Sequence, residues 1–260
     1  MNYRVSAAAC AIAFSLAAGV ARADTFVLNY EAPGAVNSTA TFSAMGVETF
    51  DSLPVGVSNG FTTDFGTNGA ITGTYSGPNG VQINAADEFG GAGGAGNYIV
   101  GFINDPYTLT LSSNPAKDPS GINYFGYWLS ALDPGNIVTF YKNGVEVGQV
   151  TPADVAAITS LNPAYYGNPN GGWLHGKNSD EPYVFINFYD TTGTFNQVAF
   201  TEGPNYGGGY ESDNQTVGFY TNMSGVPEPA TWAMMLMGFA CLGLAGCRRK
   251  RLRLASSLER

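Results

Sequence analysis

Glu211-Ser212-Asp213 sets two carboxylates at i and i+2, so on an extended strand both leave the same face. Paired carboxyls about 5–5.5 Å apart are what retaining hydrolysis of a glycosidic bond requires. Here the spacing offers a pair and no further acid downstream, because Thr216 stands three residues after Asp213. No catalytic residue is assigned on that basis. Asp87-Glu88 and Asp180-Glu181 are adjacent pairs that would point to opposite faces, and they read as solvated loop residues. His175, in Gly172-Trp173-Leu174-His175-Gly176, is the only histidine. A metal site with two imidazoles is therefore excluded, and His175 reads as an exposed loop residue. Tyr166, Trp173, Tyr206 and Tyr210 lie in Gly- and Asn-rich stretches, where exposed rings could stack on sugar faces. The competing use of such rings is to lid the ends of a core. Gly90–Gly96 is a loop without the Lys-Ser/Thr of a phosphate loop.

Composition narrows the scaffold behind these residues. The chain has 260 residues, of which 12% are charged, with 35 Gly, 14 Pro, 15 Tyr and 16 Phe. Low charge with many turn residues and aromatics favours β structure over helix. Eleven basic residues stand against 20 acidic ones, a net charge of −9, which excludes an ordinary nucleic-acid binder. Between Asp24 and Val226 there are three lysines, no arginine and 18 acidic residues, a formal charge of −15. Cys10, Cys241 and Cys247 are all terminal, so the middle holds no disulfide, thiolate metal site or cysteine nucleophile.

Short β-branched and aromatic runs at 25–30, 39–50, 81–83, 98–103, 107–111, 124–129, 137–141, 145–150, 183–189, 195–200 and 216–220 read as strands. In the 183–189 run both alternating sets are largely apolar, as in a central strand covered on both faces. Asn143-Gly144 predicts a type I′ hairpin between 137–141 and 145–150. Thr151 as N-cap, Pro152 at the first helical position and Asp154 in the first turn predict a short helix after that hairpin. Many short strands with turns between them predict an all-β sandwich or barrel in residues 24–225.

The ends read as addresses. A basic start at Arg4, an apolar stretch over 5–20 and Ala21-Arg22-Ala23 make a secretory signal peptide, with cleavage expected after Ala23. At the other end, Pro227-Glu228-Pro229 precedes Trp232, an apolar run to Cys247, and then Arg248-Arg249-Lys250-Arg251. Eighteen residues from Ala230 to Cys247 give about 27 Å of helix, close to a ~30 Å hydrocarbon core. Trp232 suits the interface, and the basic cluster suits the cytoplasmic side. Residues 226–253 thus form an anchor segment, with 254–260 as a cytoplasmic tail.

Pro227-Glu228-Pro229, a short spanning helix and a terminal Arg cluster together resemble the PEP-CTERM sorting signal. That resemblance implies a Gram-negative bacterium making extracellular polysaccharide, and processing near Pro-Glu-Pro by an exosortase, a membrane cysteine protease. The body resembles a group of PEP-CTERM surface proteins, through Tyr124-Phe125-Gly126-Tyr127-Trp128-Leu129, Ile137–Tyr141 and Phe195–Phe200 followed by Glu211-Ser212-Asp213-Asn214. This implies a jelly-roll β-sandwich of the carbohydrate-binding type, with residues 151–180 as an insertion. Such modules often hold a structural Ca²⁺ between an acid near the first strand and an Asp on the last, positions that Asp51 and Asp213 occupy. Some glycosidases place Glu-x-Asp-x-x-Glu on a strand, and Thr216 here replaces the last Glu. The expectation is therefore a non-catalytic, exported surface or matrix protein, with a carbohydrate-binding module as the alternative and a glycoside hydrolase behind both.

Overall fold

The computed structural model describes residues 25–117, 121–160, 162–203 and 208–222. Among them the strands are β1 (Phe26–Tyr30), β2 (Thr41–Glu48), β3 (Gly56–Ser58), β4 (Phe61–Thr63), β5 (Ile71–Ser76), β6 (Val81–Ala85), β7 (Asn97–Phe102), β8 (Tyr107–Ser113), β9 (Tyr124–Ser130), β10 (Asn136–Lys142), β11 (Val145–Val150), β12 (Val184–Asp190), β13 (Gln197–Glu202) and β14 (Gly209–Asn222). They form two antiparallel sheets. One runs β1-β12-β9-β14-β7-β6-β3, with β2 also on β14, and the other runs β11-β10-β13-β8-β5-β4. The all-β sandwich expected from turn spacing is what forms.

Side-chain alternation decides what lies between the sheets. Phe125, Tyr127 and Leu129 of β9, with Ile186 and Phe188 of β12, share one core cluster with Val138 and Phe140 of β10 and Val198 and Phe200 of β13. Rings meet across the gap, Tyr127 to Phe200 at 5.3 Å and Phe140 to Phe188 at 5.2 Å between centroids. Burying each such side chain contributes about 1.5–3 kcal/mol. The opposite faces of β9 and β12 are covered as well. Trp128, Ala131, Tyr183 and Phe185 form a second cluster, against which Val36 and Ala92 pack. Every residue of β9 and of β12 is buried, as a doubly covered strand requires.

Two local expectations hold. Asn143 and Gly144 both adopt positive φ between β10 and β11. Helix α1 (Pro152–Thr159) starts at Thr151, whose amide and hydroxyl both donate to the Asp154 carboxylate, at 2.8 and 2.6 Å.

Strand β14 forks the larger sheet. Gly209–Ser212 pairs with β7, whereas the residues from Gln215 onward pair with β2. The switch falls at Asn214, which has φ 48°, where the register against β9 also breaks. The sequence pattern predicts this strand only over 216–220, whereas it begins at Gly209, so that Glu211 and Asp213 lie in a central strand. The pattern also misses β3, β4 and β5, three Gly-, Ser- and Thr-containing strands at or near the sheet edges.

The expected leader (1–23) and the segment 226–260, including Pro227, Glu228, Pro229, Trp232, Arg248, Arg249, Lys250 and Arg251, lie outside the described residues. Among the described residues no helix is long and apolar enough to cross a membrane.

Candidate functional site

The outer face of the larger sheet carries a cavity of about 350 Å³ over the first half of β14. Four carboxylates line it: Asp87 after β6, Asp133 after β9, Glu181 before β12 and Glu211 on β14. Asn84, Tyr98, Phe89 and Phe102 line it too, and the two Phe side chains are 45% and 40% exposed. Among the described residues no basic one does.

Its walls are held from the insertion between β11 and β12. Glu88 O accepts from Asn168 Nδ2 at 3.1 Å, Asn178 Nδ2 at 2.9 Å and Tyr183 Oη at 2.7 Å. Gly91 O accepts from Asn170 Nδ2 at 3.1 Å. Asp87 closes its own turn, with Oδ1 accepting from the amides of Phe89 and Gly90 and from the Tyr98 hydroxyl. The β6–β7 loop is thereby clamped beside β14. Close approach explains Gly208 and Gly209. A Cβ on Gly208 would lie 1.6 Å from Asp133 Oδ2, and one on Gly209 would lie 2.3 Å from Glu211 Oε1.

Glu211 is 7% exposed, and burial pushes its carboxyl up to about 8. Its own backbone amide pulls the other way, and the negative charges of Asp133, Asp87 and Glu181 add to the rise. Burial also raises Asp133 and Glu181, the latter helped by Asp133 and Asp180. Glu202 rises to about 7, chiefly by burial, although Asn136 Nδ2 donates to its Oε2 at 2.5 Å. The same Asn136 amide also donates to Gly209 O at 2.9 Å, which pins the start of β14. The acids of this site are thus crowded and desolvated together.

Asp213, two residues on, has a different setting. Its Oδ2 accepts from the Ala92 amide at 2.7 Å and its Oδ1 from the Asn214 amide at 2.6 Å. Burial lifts its carboxyl to about 7 against the pull of those two amides, with Asp51 and Glu48 adding their charge. Asp51 is exposed and holds the Asn97 amide at 2.8 Å. The expected calcium pair is therefore drawn to one neighbourhood, around the loop before β7. Among the described residues no three His, Cys, Asp or Glu side chains converge as metal ligands.

The expected aromatic platform is dispersed. Trp173 is 68% exposed on a 3₁₀ turn, Gly172–Leu174. Tyr166 is half-buried, bridged to Pro182, and lines a separate hollow with Pro134, Pro152 and Asp180. Tyr210 is not a loop residue: it is 2% exposed in β14 and its hydroxyl bonds that of Tyr127 in the core. Alternation explains the correction, because Tyr210 faces inward where Glu211 faces outward. Tyr206 lies outside the described residues. Asp87 and Glu181, expected in solvated loops, instead line the cavity. Phe89 and Phe102, its exposed rings, were not singled out. A period-two reading of β7 puts Tyr98 and Phe102 on one face and could have found the second. His175 is exposed beside the same 3₁₀ turn and meets none of these groups at the cavity.

One finding bears on where this site works. Residues 225–251 match the PEP-CTERM protein-sorting motif. The motif implies an exported precursor that depends on an exosortase for sorting to the surface. It begins three residues after β14 ends at Asn222. No curated protein matches the chain. Among solved structures the chain is similar to the K2 cleaved adhesin domain of Lys-gingipain, at 21% identity and a TM-score of 0.37, over 69% of this chain and 98% of that one.

Proposed function

We propose that the mature chain is a non-catalytic surface or matrix protein that holds extracellular polysaccharide in the Glu211 cavity. The observation that carries this reading is the lining itself: two half-exposed Phe rings beside four carboxylates and an amide, in a cavity within the ~300–1,000 Å³ range of ligand pockets. The sheet orders support a jelly roll. β7-β14-β9-β12 faces β8-β13-β10-β11, so from β7 to β14 successive strands cross between sheets except at the β10–β11 hairpin. In this reading the leader and the C-terminal segment are removed, the second by an exosortase after the chain has been held at the inner membrane.

Two features favour holding over cutting. Thr216 stands where a third strand carboxylate would be, and Asp213 is engaged by the loop amide of Ala92 and the strand amide of Asn214 instead of lining the cavity. One feature favours the hydrolase alternative: burial pushes the Glu211 carboxyl up to about 8, a direction that suits a general acid. Co-sedimentation of the exported protein with its own matrix polysaccharide tests the proposal. Binding lost in a Phe89→Ala, Phe102→Ala double variant is expected. Polysaccharide shortening that disappears with Glu211→Gln would replace the reading with hydrolysis. Intact mass of the matrix-borne protein should lack residues 1–23 and the helix after Pro229.

A further inference from the structure

We propose that the saccharide taken by the Glu211 cavity is cationic, an amino sugar whose ammonium group sits among the carboxylates of Asp133, Glu181 and Glu211. This rests on the saccharide-holding reading above and names the chemical class of the ligand.

The first observation is an uncompensated charge. Among the described residues four acids line the cavity and no Lys, Arg or His does. The lysines of the body are engaged elsewhere: Lys177 with Glu88 at 3.6 Å, Lys142 with the Thr194 hydroxyl and Lys117 with Asn68 O. A buried acid without a counter-charge keeps its proton or takes a cation, and an arriving ammonium supplies the cation.

The second observation is unused hydrogen-bonding capacity in the same place. Glu181 lines the site, and its Oε2 is buried without a partner. Next to the lining residue Ala131, and behind the lining itself, Ser130 Oγ is in a side chain 1% exposed and is also without one. Ser130 stands opposite Glu211 in the β9–β14 ladder, so both project to the same sheet face. Unmade bonds of this kind are costly, and more so for charged groups. An ammonium offers three donors, and a ring hydroxyl both donates and accepts, which matches carboxylates beside an unpaired hydroxyl. The third observation is aromatic. Phe89 and Phe102 present ring surface to the cavity, and such faces attract cations.

A bare metal ion fits less well. The acids are spread around a cavity of about 350 Å³, and no three converge as ligands among the described residues. A ring carrying one ammonium fills that space and places a single positive charge in it.

The test titrates the exported protein at pH 7 with three tetrasaccharides of one linkage: glucosamine, N-acetylglucosamine and glucose. The glucosamine form should bind at least tenfold more tightly than the other two. Glu211→Gln and Asp133→Asn should each weaken it by at least tenfold, and the second variant, at a less buried acid, guards against misfolding of the first. Binding should also release protons, read as a dependence of the heat on the buffer. Glu211 would be the source, since it is faced by Asp87, Asp133, Glu181 and the hydroxyls of Tyr98 and Tyr183, with Lys177 tied to Glu88. Equal binding of all three sugars would overturn the cationic inference and leave the saccharide reading standing. Binding of none would overturn both. Stabilisation by calcium chloride alone, abolished by Glu211→Gln, would overturn it in favour of a metal site.

Discussion

Glu211 and Asp213 leave the same face of one strand and meet opposite surroundings. Over Asp213 the β6–β7 loop closes down, and two backbone amides take up its oxygens. Over Glu211 the same loop stands away, leaving a cavity, and among the described residues the amide that meets its carboxyl is its own. Both carboxyls are lifted by burial, to about 7 and about 8. The difference is one of partners. Asp213 serves the fold by tying a glycine-rich loop to the central strand. Glu211 makes no comparable tie to the fold, and its carboxyl faces the cavity.

The sharpest way to break this contrast is to truncate each acid. Asp213→Ala strands the Ala92 and Asn214 amides under the loop, at about 1–3 kcal/mol for an unmade buried bond. At roughly 2–4 °C per kcal/mol for a domain of this size, the melting temperature should fall by several degrees. Glu211→Gln, which only fixes the neutral form already favoured at pH 7, should leave it unchanged or slightly higher. Thermal melts of the two variants side by side decide the matter, and an equal fall in both would erase the distinction.

Acidity gives an effect with a definite sign. Glu211 titrates near 8 in the fold, and Glu202 and Asp213 near 7, whereas carboxyls in an unfolded chain titrate around 4. Between these values the folded state binds more protons, so stability falls as pH rises. The contribution is fully present below about pH 4 and is lost as pH passes through 7 and then 8. Melting temperature should therefore decline from pH 5.5 to 9. Asp213→Asn should flatten the part near 7, and Glu211→Gln the part near 8. A profile that stays level, or rises with pH, would contradict the buried placement of both acids.

What could be seen in the sequence follows the same division. The all-β class, the Asn143-Gly144 hairpin, the capped helix and the doubly covered 183–189 strand were legible because each depends on neighbours along the chain. The strands at and next to the sheet edges were harder. Ile71, Gly73 and Tyr75 are buried in alternation with Thr72, Thr74 and Ser76, but a glycine among three hydroxyl residues hides the period. The cavity was not legible. Asp87, Asp133, Glu181 and Glu211 come from four separate parts of the chain, and only the fork in β14 and the asparagine clamps of the insertion bring them together. Tyr210 was misplaced for a related reason: its Gly-rich flank, Gly207-Gly208-Gly209, reads as loop, whereas Gly208 and Gly209 make room for two carboxylates.

Calcium should have the smallest effect, and it should fall on one side of the comparison only. Asp51 and Asp213 are drawn close enough for the charge of one to raise the other. Each carboxylate oxygen keeps a lone pair after accepting one amide, so both could still ligate. With no third acid converging, the affinity should be that of a weak extracellular site, a Kd of about 10⁻³ M. At a calcium concentration equal to Kd the gain is RT ln 2, about 0.4 kcal/mol, or roughly 1–2 °C. The rise should vanish with chelator and with Asp51→Asn, and persist in Glu211→Gln, because calcium held at Asp51 has no use for the cavity acid. If Glu211→Gln removes the rise and Asp51→Asn does not, the cation belongs to the cavity. The loop over Asp213 would then be held by its amides alone.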